Sequence, residues 1–478
     1  MGGEGLDDGF TVVLDVGKTL TKLSLWTPRG EVVAKETRPN TRLDAGVYAA
    51  LDAVGIEAWA GRVLSDFAQR GPVKAIIPVA HGAACAVLLD GELAFPPPDY
   101  EEPVPDAVRE GYEADRDDFA LTGSPRLPLG LNLGVQIAWM EAVYPELMNR
   151  DVSIVTWAQY WAWLFSGVAA PEVTSLGCHS DLWRPGAASF SGLADRRGWA
   201  KRLAPLRRAD EALGTLRPEW SERTGLSPTT KVYCGIHDSN AALLAARGFS
   251  EIAQNEATVL STGTWFVAMR SPAPGAAVDI GALAEARDCL VNVDAYGRPI
   301  PSARFMGGRE IEILSGIDTR RIDIKPDQPG LLAALPAVIA ERSRALPTFT
   351  PDVGPFPHGN GRWIDMPIDS FARRAAVCLY AAMVADTSLN LVGARERVVV
   401  EGRFAEAEVF VRALASLRPQ DRLYTSNAHQ DVSYGALRLL DPTLEAMSTL
   451  EPVAPLAEDL GAYAAQWRRD AARIEAAA

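Results

Sequence analysis

Two stretches of this chain, about 250 residues apart, share one local design that few folds accommodate. The first is Phe10-Thr-Val-Val-Leu-Asp15-Val-Gly17-Lys18-Thr19-Leu-Thr21-Lys22-Leu-Ser-Leu-Trp26. The second is Ala257-Thr-Val-Leu-Ser261-Thr262-Gly263-Thr264-Trp265-Phe-Val-Ala-Met269. Each is a β-rich run, a small polar turn around glycine, and a second β-rich run. Such a tip, with hydroxyls and backbone N–H groups, can cradle an anion. Two of them predict two related half-domains that clamp one polyphosphate, and so a phosphoryl-transfer enzyme.

The bulk properties agree with a soluble two- or three-domain protein. There are 478 residues, 48% of them hydrophobic and 23% charged, which suffices for substantial cores. A net charge of −14 argues against a nucleic-acid partner, which needs a basic face. ATP remains compatible, because Mg²⁺ and a few lysines neutralise its phosphates locally. The five cysteines are dispersed and odd in number, with no C-x-x-C pair. They predict buried free thiols in a reducing cytoplasm. Residues 1–8 are Gly- and acid-rich, without the pattern of a signal peptide, and no apolar run reaches about 18 residues. The expectation is therefore a cytoplasmic protein with no membrane partner.

Along the chain, Phe10–Asp15, Thr21–Trp26 and Glu31–Lys35 read as a three-stranded meander, with Gly17 and Pro28-Arg29-Gly30 at its turns. Asp44 to Arg70 has helical composition and spacing. Lys74–Val79 and Ala86–Asp90 read as short strands, and Pro96 to Asp118, rich in proline and acid, as an exposed loop. Leu131–Met148 and Thr156–Phe165 read as apolar helices. Trp157, Trp161 and Trp163 crowd the latter and are expected in the core, with one stacking on a sugar as the alternative. Lys231–Ile236 is a strand leading to Asp238, and Ser239–Arg247 a helix that Gly248 ends. In the second half Cys289–Asp294 and Arg298–Pro301 are strands, Phe371–Leu391 a long helix, Arg397–Val400 a strand and Ala405–Leu417 a helix. The tail from Ala464 reads as a terminal amphipathic helix. Each half thus opens with a hairpin and then alternates helices and strands, which predicts an α/β fold with internal duplication. The hinge is expected at residues 244–256, separating domains 1–243 and 244–478.

Several residues could carry chemistry. Asp15 ends an apolar strand beside a glycine turn, where Mg²⁺ is one natural partner and an Asx-type turn cap is the other reading. Gly17-Lys18-Thr19 resembles the end of a P-loop, but that pattern needs glycine where Val12 stands, so it is rejected. The turn still offers close backbone approach, hydroxyls, and the cations Lys18 and Lys22. Ser261-Thr262-Gly263-Thr264 offers hydroxyls and N–H groups without a cation. Asp238 follows a strand and opens a helix between His237 and Ser239. It reads either as a helix cap or as a carboxylate held in a cleft to orient a sugar hydroxyl and accept its proton. None of the five histidines has metal-ligand spacing. His81-Gly82 and His179 read either as pocket residues that contact hydroxyls or as ordinary loop residues. Glu401-Gly402-Arg403-Phe404 joins a strand to a helix through a turn that a nucleoside could approach.

Assembled in this order, the motifs resemble the FGGY carbohydrate kinases of the actin-like ATPase superfamily, over roughly residues 9 to 460. Asp15-Val-Gly17-Lys18-Thr19 with Lys22 is similar to the family's first phosphate motif, and Ser261-Thr262-Gly263-Thr264-Trp265 to its second. Gly235-Ile-His237-Asp238-Ser-Asn-Ala-Ala242 is similar to the segment carrying the catalytic base, most closely in the rhamnulokinase and fuculokinase branches. The resemblance implies two actin-like (ribonuclease H-like) domains with a central cleft, a sugar-binding first domain and a nucleotide-binding second one. It implies ATP and Mg²⁺ as cofactors and a ketose, deoxyketose or polyol as substrate. Asp238 would be the base, Asp15 would help hold Mg²⁺, and Gly402 with Arg403 would lie near the adenosine. His81, Gly82, Gln136, His179 and His237 would fall on the sugar side. The family usually has Thr or Ser where Lys18 stands, so Lys18 either contacts phosphate or points away. A homodimer is compatible with this reading. The alternatives are a non-catalytic sugar- or nucleotide-sensing relative and an actin-like ATPase.

Overall fold

The computed structural model describes residues 9–426, 432–446 and 448–477. The stretch Met1–Asp8 and His429 lie outside the described residues. Contacts group the chain into two units. The first holds the chain up to Gly248, together with Val291–Pro299 and the helix Val432–Leu440. The second holds most of the remainder from Phe249 onward.

The first unit is built on one mixed sheet. Neighbouring strands are Ala212–Thr215, Lys231–Tyr233, Val73–Ala80, Phe10–Val16, Leu20–Trp26 and Val32–Pro39, and Ile236–His237 also pairs with Val73–Ala80. Phe10–Val16 is antiparallel to Leu20–Trp26 and parallel to Val73–Ala80. Its β-branched run explains its central place, because alternate side chains feed cores on both faces. Val12, Leu14 and Val16 pack with Ile56, Ala60 and Leu64 of the helix Ala53–Ala68. Val13 on the other face packs with Ala241 and Leu244 of the helix Asp238–Ala246 and with Leu437 of the helix Val432–Leu440. Each fully buried Val or Leu of this kind contributes about 1.5–3 kcal/mol. Gly435 permits the second contact, since a Cβ there would overlap the carbonyl of Ala241.

Two sequence expectations change here. The helix begins at Ala53 rather than near Asp44, and residues 42–51 form a small antiparallel ladder. The Asp44 carboxylate accepts from the Gly46 amide, and Asp52 caps the helix by accepting from Gly55 at 2.8 Å. Two side chain–backbone bonds thereby outcompete a helical composition. The segment 96–118 is not an exposed loop throughout. It contains the helix Asp106–Glu113, and Asp99 is fully buried.

The second unit repeats the pairing scheme. Pro299–Phe305, Phe266–Ser271, Ala257–Thr262, Arg397–Gly402, Arg422–Ser426 and Leu450–Pro452 are successive neighbours. Ala257–Thr262 is antiparallel to Phe266–Ser271 and parallel to Arg397–Gly402. Its core centres on the helix Ser370–Leu391, capped by Asp369, whose carboxylate accepts from Ala372 at 2.8 Å. The buried Arg418 guanidinium ties this helix down through Asp386 at 3.0 Å, Asn390 at 2.8 Å and Asp421 at 2.8 Å. Among the described residues no helix is long and apolar enough to cross a membrane.

Candidate active site

In the first unit, three parallel strands end together. Val16 and His237 both sit in register with Ala80. The turn after Val16, the His81-Gly82 turn after Ala80, and Asp238 after His237 therefore emerge at one sheet edge, the carboxyl ends where α/β sheets present their sites.

Asp238 is the first residue of its helix, where a negative charge is favoured by the helix dipole. The Ser239 amide donates to its Oδ1 at 2.6 Å, and His237 Nε2 lies 3.1 Å from the same oxygen. Burial raises the Asp238 carboxyl, but the His237 hydrogen bond and charge, with His81 and the Ser239 amide, outweigh it and hold it below the ordinary range. His237 is fixed on every side. Its amide donates to the Thr174 hydroxyl at 3.0 Å, its Nδ1 lies 3.3 Å from the Asn240 amide nitrogen, and Cys178 Sγ is 3.7 Å from Nε2. Burial disfavours the imidazolium, yet Cys178 and Asp238 raise His237 well above its usual value. Gly82 is required beside this group, because a Cβ there would press on Cys178 Sγ and His237 Nε2, each 2.9 Å away.

A pocket of about 190 Å³ opens beside these residues. Gly17, Lys18, Thr19, His81, Asp99 and Trp157 line it, with Asn40 and Arg42. Burial, helped by Lys18 and opposed by Asp238, drives His81 down to about 4, so its ring is neutral near pH 7. Its buried Nδ1 has no hydrogen-bond partner. A neutral imidazole with an unused nitrogen at a pocket wall suits a sugar hydroxyl. Lys18 does not extend into solvent. Its ammonium pairs with both Asp99 oxygens, lies 3.4 Å from Glu101, and stacks 4.6 Å over the Tyr100 ring. Lys22 pairs with Asp15 at 3.0 Å. Gln136 is fully buried, and its amide spans the carbonyls of Ala83 at 2.8 Å and Gly130 at 2.6 Å.

The second unit has its own turn at the equivalent strand ends, with Thr262 in register with Gly402. Ser261, Gly263 and Thr264 are exposed, and Thr262 is buried. The Thr262 hydroxyl donates to the Glu401 carbonyl at 2.6 Å and accepts from the Phe404 amide at 3.0 Å, locking the two turns together. Gly402 adopts φ 83°, ψ −164°, a region open essentially to glycine alone. Arg403 donates to the Ile322 carbonyl at 3.0 Å. Glu401 is buried and raised to about 7 by that burial. Phe404 continues into an apolar pocket with Ile311, Ile322, Ile324 and Leu331.

Among the residues singled out from sequence, Gly17, Lys18, Thr19 and His81 line one pocket, with Gly82, His237 and Asp238 packed together next to it. The amide of Gly17 closes its own turn onto Leu20 at 3.1 Å, and Gly263 does the same onto Trp265 at 3.0 Å. His179 adopts φ 27° and its Nδ1 lies 2.8 Å from the Leu131 carbonyl; like Gln136, it is not among the residues lining the pocket. Trp157, Trp161 and Trp163 are all core, and Trp157 also borders the pocket. Sequence reasoning missed Asp99, Tyr100, Arg42 and Asn40. The one signal for the first two was a polar and aromatic cluster directly after the stiff Pro96-Pro97-Pro98.

Residues 254–448 match the family model described as Carbohydrate kinase FGGY, C-terminal domain. A carbohydrate kinase from Novosphingobium aromaticivorans is 57% identical, with a TM-score of 0.93, covering 96% of this chain and 100% of that one. A xylulose kinase from Rhodospirillum rubrum superposes at TM-score 0.78 with 18% identity, covering 98% of each chain. A glycerol kinase from Plasmodium falciparum, with ADP, superposes at 0.75 with 11% identity, also covering 98% of each. No curated protein in the comparison matches. The fold is the one that these kinases share. This chain belongs to the FGGY carbohydrate kinases.

Proposed function

We propose that the protein transfers the γ-phosphate of ATP to a hydroxyl of a ketose, deoxyketose or polyol, with Asp238 as general base. The observation that carries this reading is the Asp238 carboxylate, held ionised at a helix N-terminus beside the His81 pocket. A sensor without chemistry would have no need of a base so placed. Residues 1–243 would then supply most of the acceptor side and residues 244–478 the nucleotide side, with cytoplasmic work as the setting.

In this mechanism the acceptor hydroxyl hydrogen-bonds to Asp238, which aligns its oxygen for in-line attack. The new O–P bond forms as the bond to the β-phosphate bridging oxygen breaks and ADP leaves. The hydroxyl proton passes to an Asp238 oxygen. That transfer is late in a loose transition state, so the base need not be strong. The neutral His81 ring and Trp157 shape the acceptor side. The turn at Ser261–Thr264 and the apolar pocket after Gly402 fit the phosphates and base of the nucleotide.

Asp15 fits a Mg²⁺ ion. It is a buried carboxylate at the turn, and no group of three or more ligating side chains that could hold a metal exists among the described residues. The ion would therefore draw its other ligands from phosphate and water, as Mg²⁺ commonly does, and would neutralise phosphate charge. An ADP-release assay over ketoses, deoxyketoses and polyols tests the proposal. It expects turnover with one neutral sugar or polyol, and ADP release with none of them rejects it.

A further inference from the structure

The pocket contains a charge pair that the mechanism above does not use. The Lys18 ammonium lies on Asp99, which is fully buried and also receives Arg42 Nε at 3.1 Å and the Glu101 amide at 2.8 Å. A buried carboxylate with two cations and an amide on it is fully satisfied, and breaking it is costly. The Lys18 ammonium has three donors, and Asp99 and Glu101 take up that capacity. It is thus committed to residues 99–101 and is not a free cation for phosphate.

What Lys18 holds is Tyr100. The ring lies under the ammonium and edge-on to His81 at 5.5 Å. Asp99, Glu101 and Asp238 all help burial push its phenol up to about 12, so the hydroxyl stays protonated near pH 7. The backbone is pinned independently. The Gly130 amide donates to the Tyr100 carbonyl at 2.9 Å, and Gln136 holds the Gly130 carbonyl together with that of Ala83, two residues beyond His81. Tyr100 and His81 are thereby set against each other by two separate ties, both running to the base side of the pocket.

We propose that Lys18 is a positioning residue of the acceptor site. Through Asp99 it clamps residues 96–102 so that the Tyr100 ring holds the pocket-lining His81 edge-on, and it does not ligate a nucleotide phosphate. This rests on the kinase reading, but the tether is testable apart from it.

The probes are the non-hydrolysable analogue AMP-PNP with Mg²⁺, hydrogen exchange over residues 96–102, and the acceptor giving the most ADP release in the panel. Lys18→Thr and Asp99→Asn should leave AMP-PNP affinity within about two-fold and speed exchange of the Asp99 and Glu102 amides, which bond to Ala49 and Asp99 carbonyls. Each should raise acceptor KM about ten-fold, the scale of one charged hydrogen bond. The double variant should be no worse than either single one, as for two ends of one tether. Tyr100→Ala should raise acceptor KM while leaving AMP-PNP binding unchanged, and Tyr100→Phe, which keeps the ring, should restore it. A ten-fold loss of AMP-PNP affinity in Lys18→Thr with unaltered exchange would overturn the proposal. So would additive effects of Lys18→Thr and Asp99→Asn. Lys18→Met serves if the threonine variant does not fold. If no sugar in the panel is phosphorylated, the kinase reading fails, while exchange and AMP-PNP binding still decide the tether.

Discussion

Replacing His237 by Phe should move the acid limb of the pH–rate profile upward. His237 Nε2 is 3.1 Å from Asp238 Oδ1 and the Ser239 amide lies 2.6 Å from the same oxygen. These contacts keep the carboxyl below its ordinary range despite its partial burial. A hydrogen bond to a charged group is worth about 1.5–3 kcal/mol, and 1.36 kcal/mol is one pKa unit. Losing the imidazole should therefore raise the Asp238 pKa and cut its ionised fraction on the acid limb by about ten- to a hundred-fold. The sign follows from the role: a base works only when deprotonated, so a raised pKa removes activity as pH falls and leaves it intact at higher pH. His81, Tyr100 and the Ser239 amide still face the carboxylate in the variant. His81 lies near 4, but Cys178 at about 6 and Glu172 at about 7 also titrate beside His237, so the same shift must survive in a Cys178→Ser background for the limb to report Asp238. The assay is kcat/KM for the acceptor from pH 4.5 to 9, by coupled ADP release, on wild type and His237→Phe. Superimposable limbs, or an equal loss at every pH, would refute the assignment of His237 as the group that keeps the base ionised.

Asp238→Asn should fold with an unchanged Tm and bind AMP-PNP, yet lose about 10²–10⁴-fold in kcat; turnover near wild type would reject the base. Gly402→Ala should destabilise the second unit by about 1–3 kcal/mol, because φ 83° is closed to alanine and a Cβ would overlap the Thr262 carbonyl. Denaturant unfolding measures the cost, and nucleotide affinity should fall with it. Arg418→Met removes the cation shared by the buried Asp386 and Asp421 carboxylates, which keep Arg468 at 2.9 Å and the Glu396 amide at 2.9 Å, and should cost about 1.5–3 kcal/mol, read as a lowered Tm.

The hairpins and the Asp238 segment were legible because local signals set them. β-Branched runs broken by Gly17 and Gly263 can hardly be anything else, and a strand running into His237-Asp238 before an alanine-rich stretch fixes where the carboxylate stands. The errors have non-local or competing causes. Residues 44–52 have helical composition, but the Asp44 and Asp52 carboxylates claim nearby amides and delay the helix. Asp99 reads as solvated among proline and acid, but Lys18 and Arg42, both distant in sequence, pair with it in its buried position. That Trp157 also borders the pocket could not be told by spacing from Trp161, since the neighbours of each are set by the sheet beneath. The likeness to rhamnulokinases and fuculokinases rests on the His237-Asp238 segment alone.

The helix Val432–Leu440 lies on the helix that starts at Asp238, with Gly435 against Ala241. A ribosome reaches it only after nearly all of the other unit has been made. Until then the segment bearing the base has a bare flank formed by Ala241, Leu244 and Val13. A fragment cut at Gly248 would keep that flank in water, so it should clump rather than behave as an isolated sugar-binding module. The order of synthesis thereby leaves the first unit unfinished until most of the second has been made.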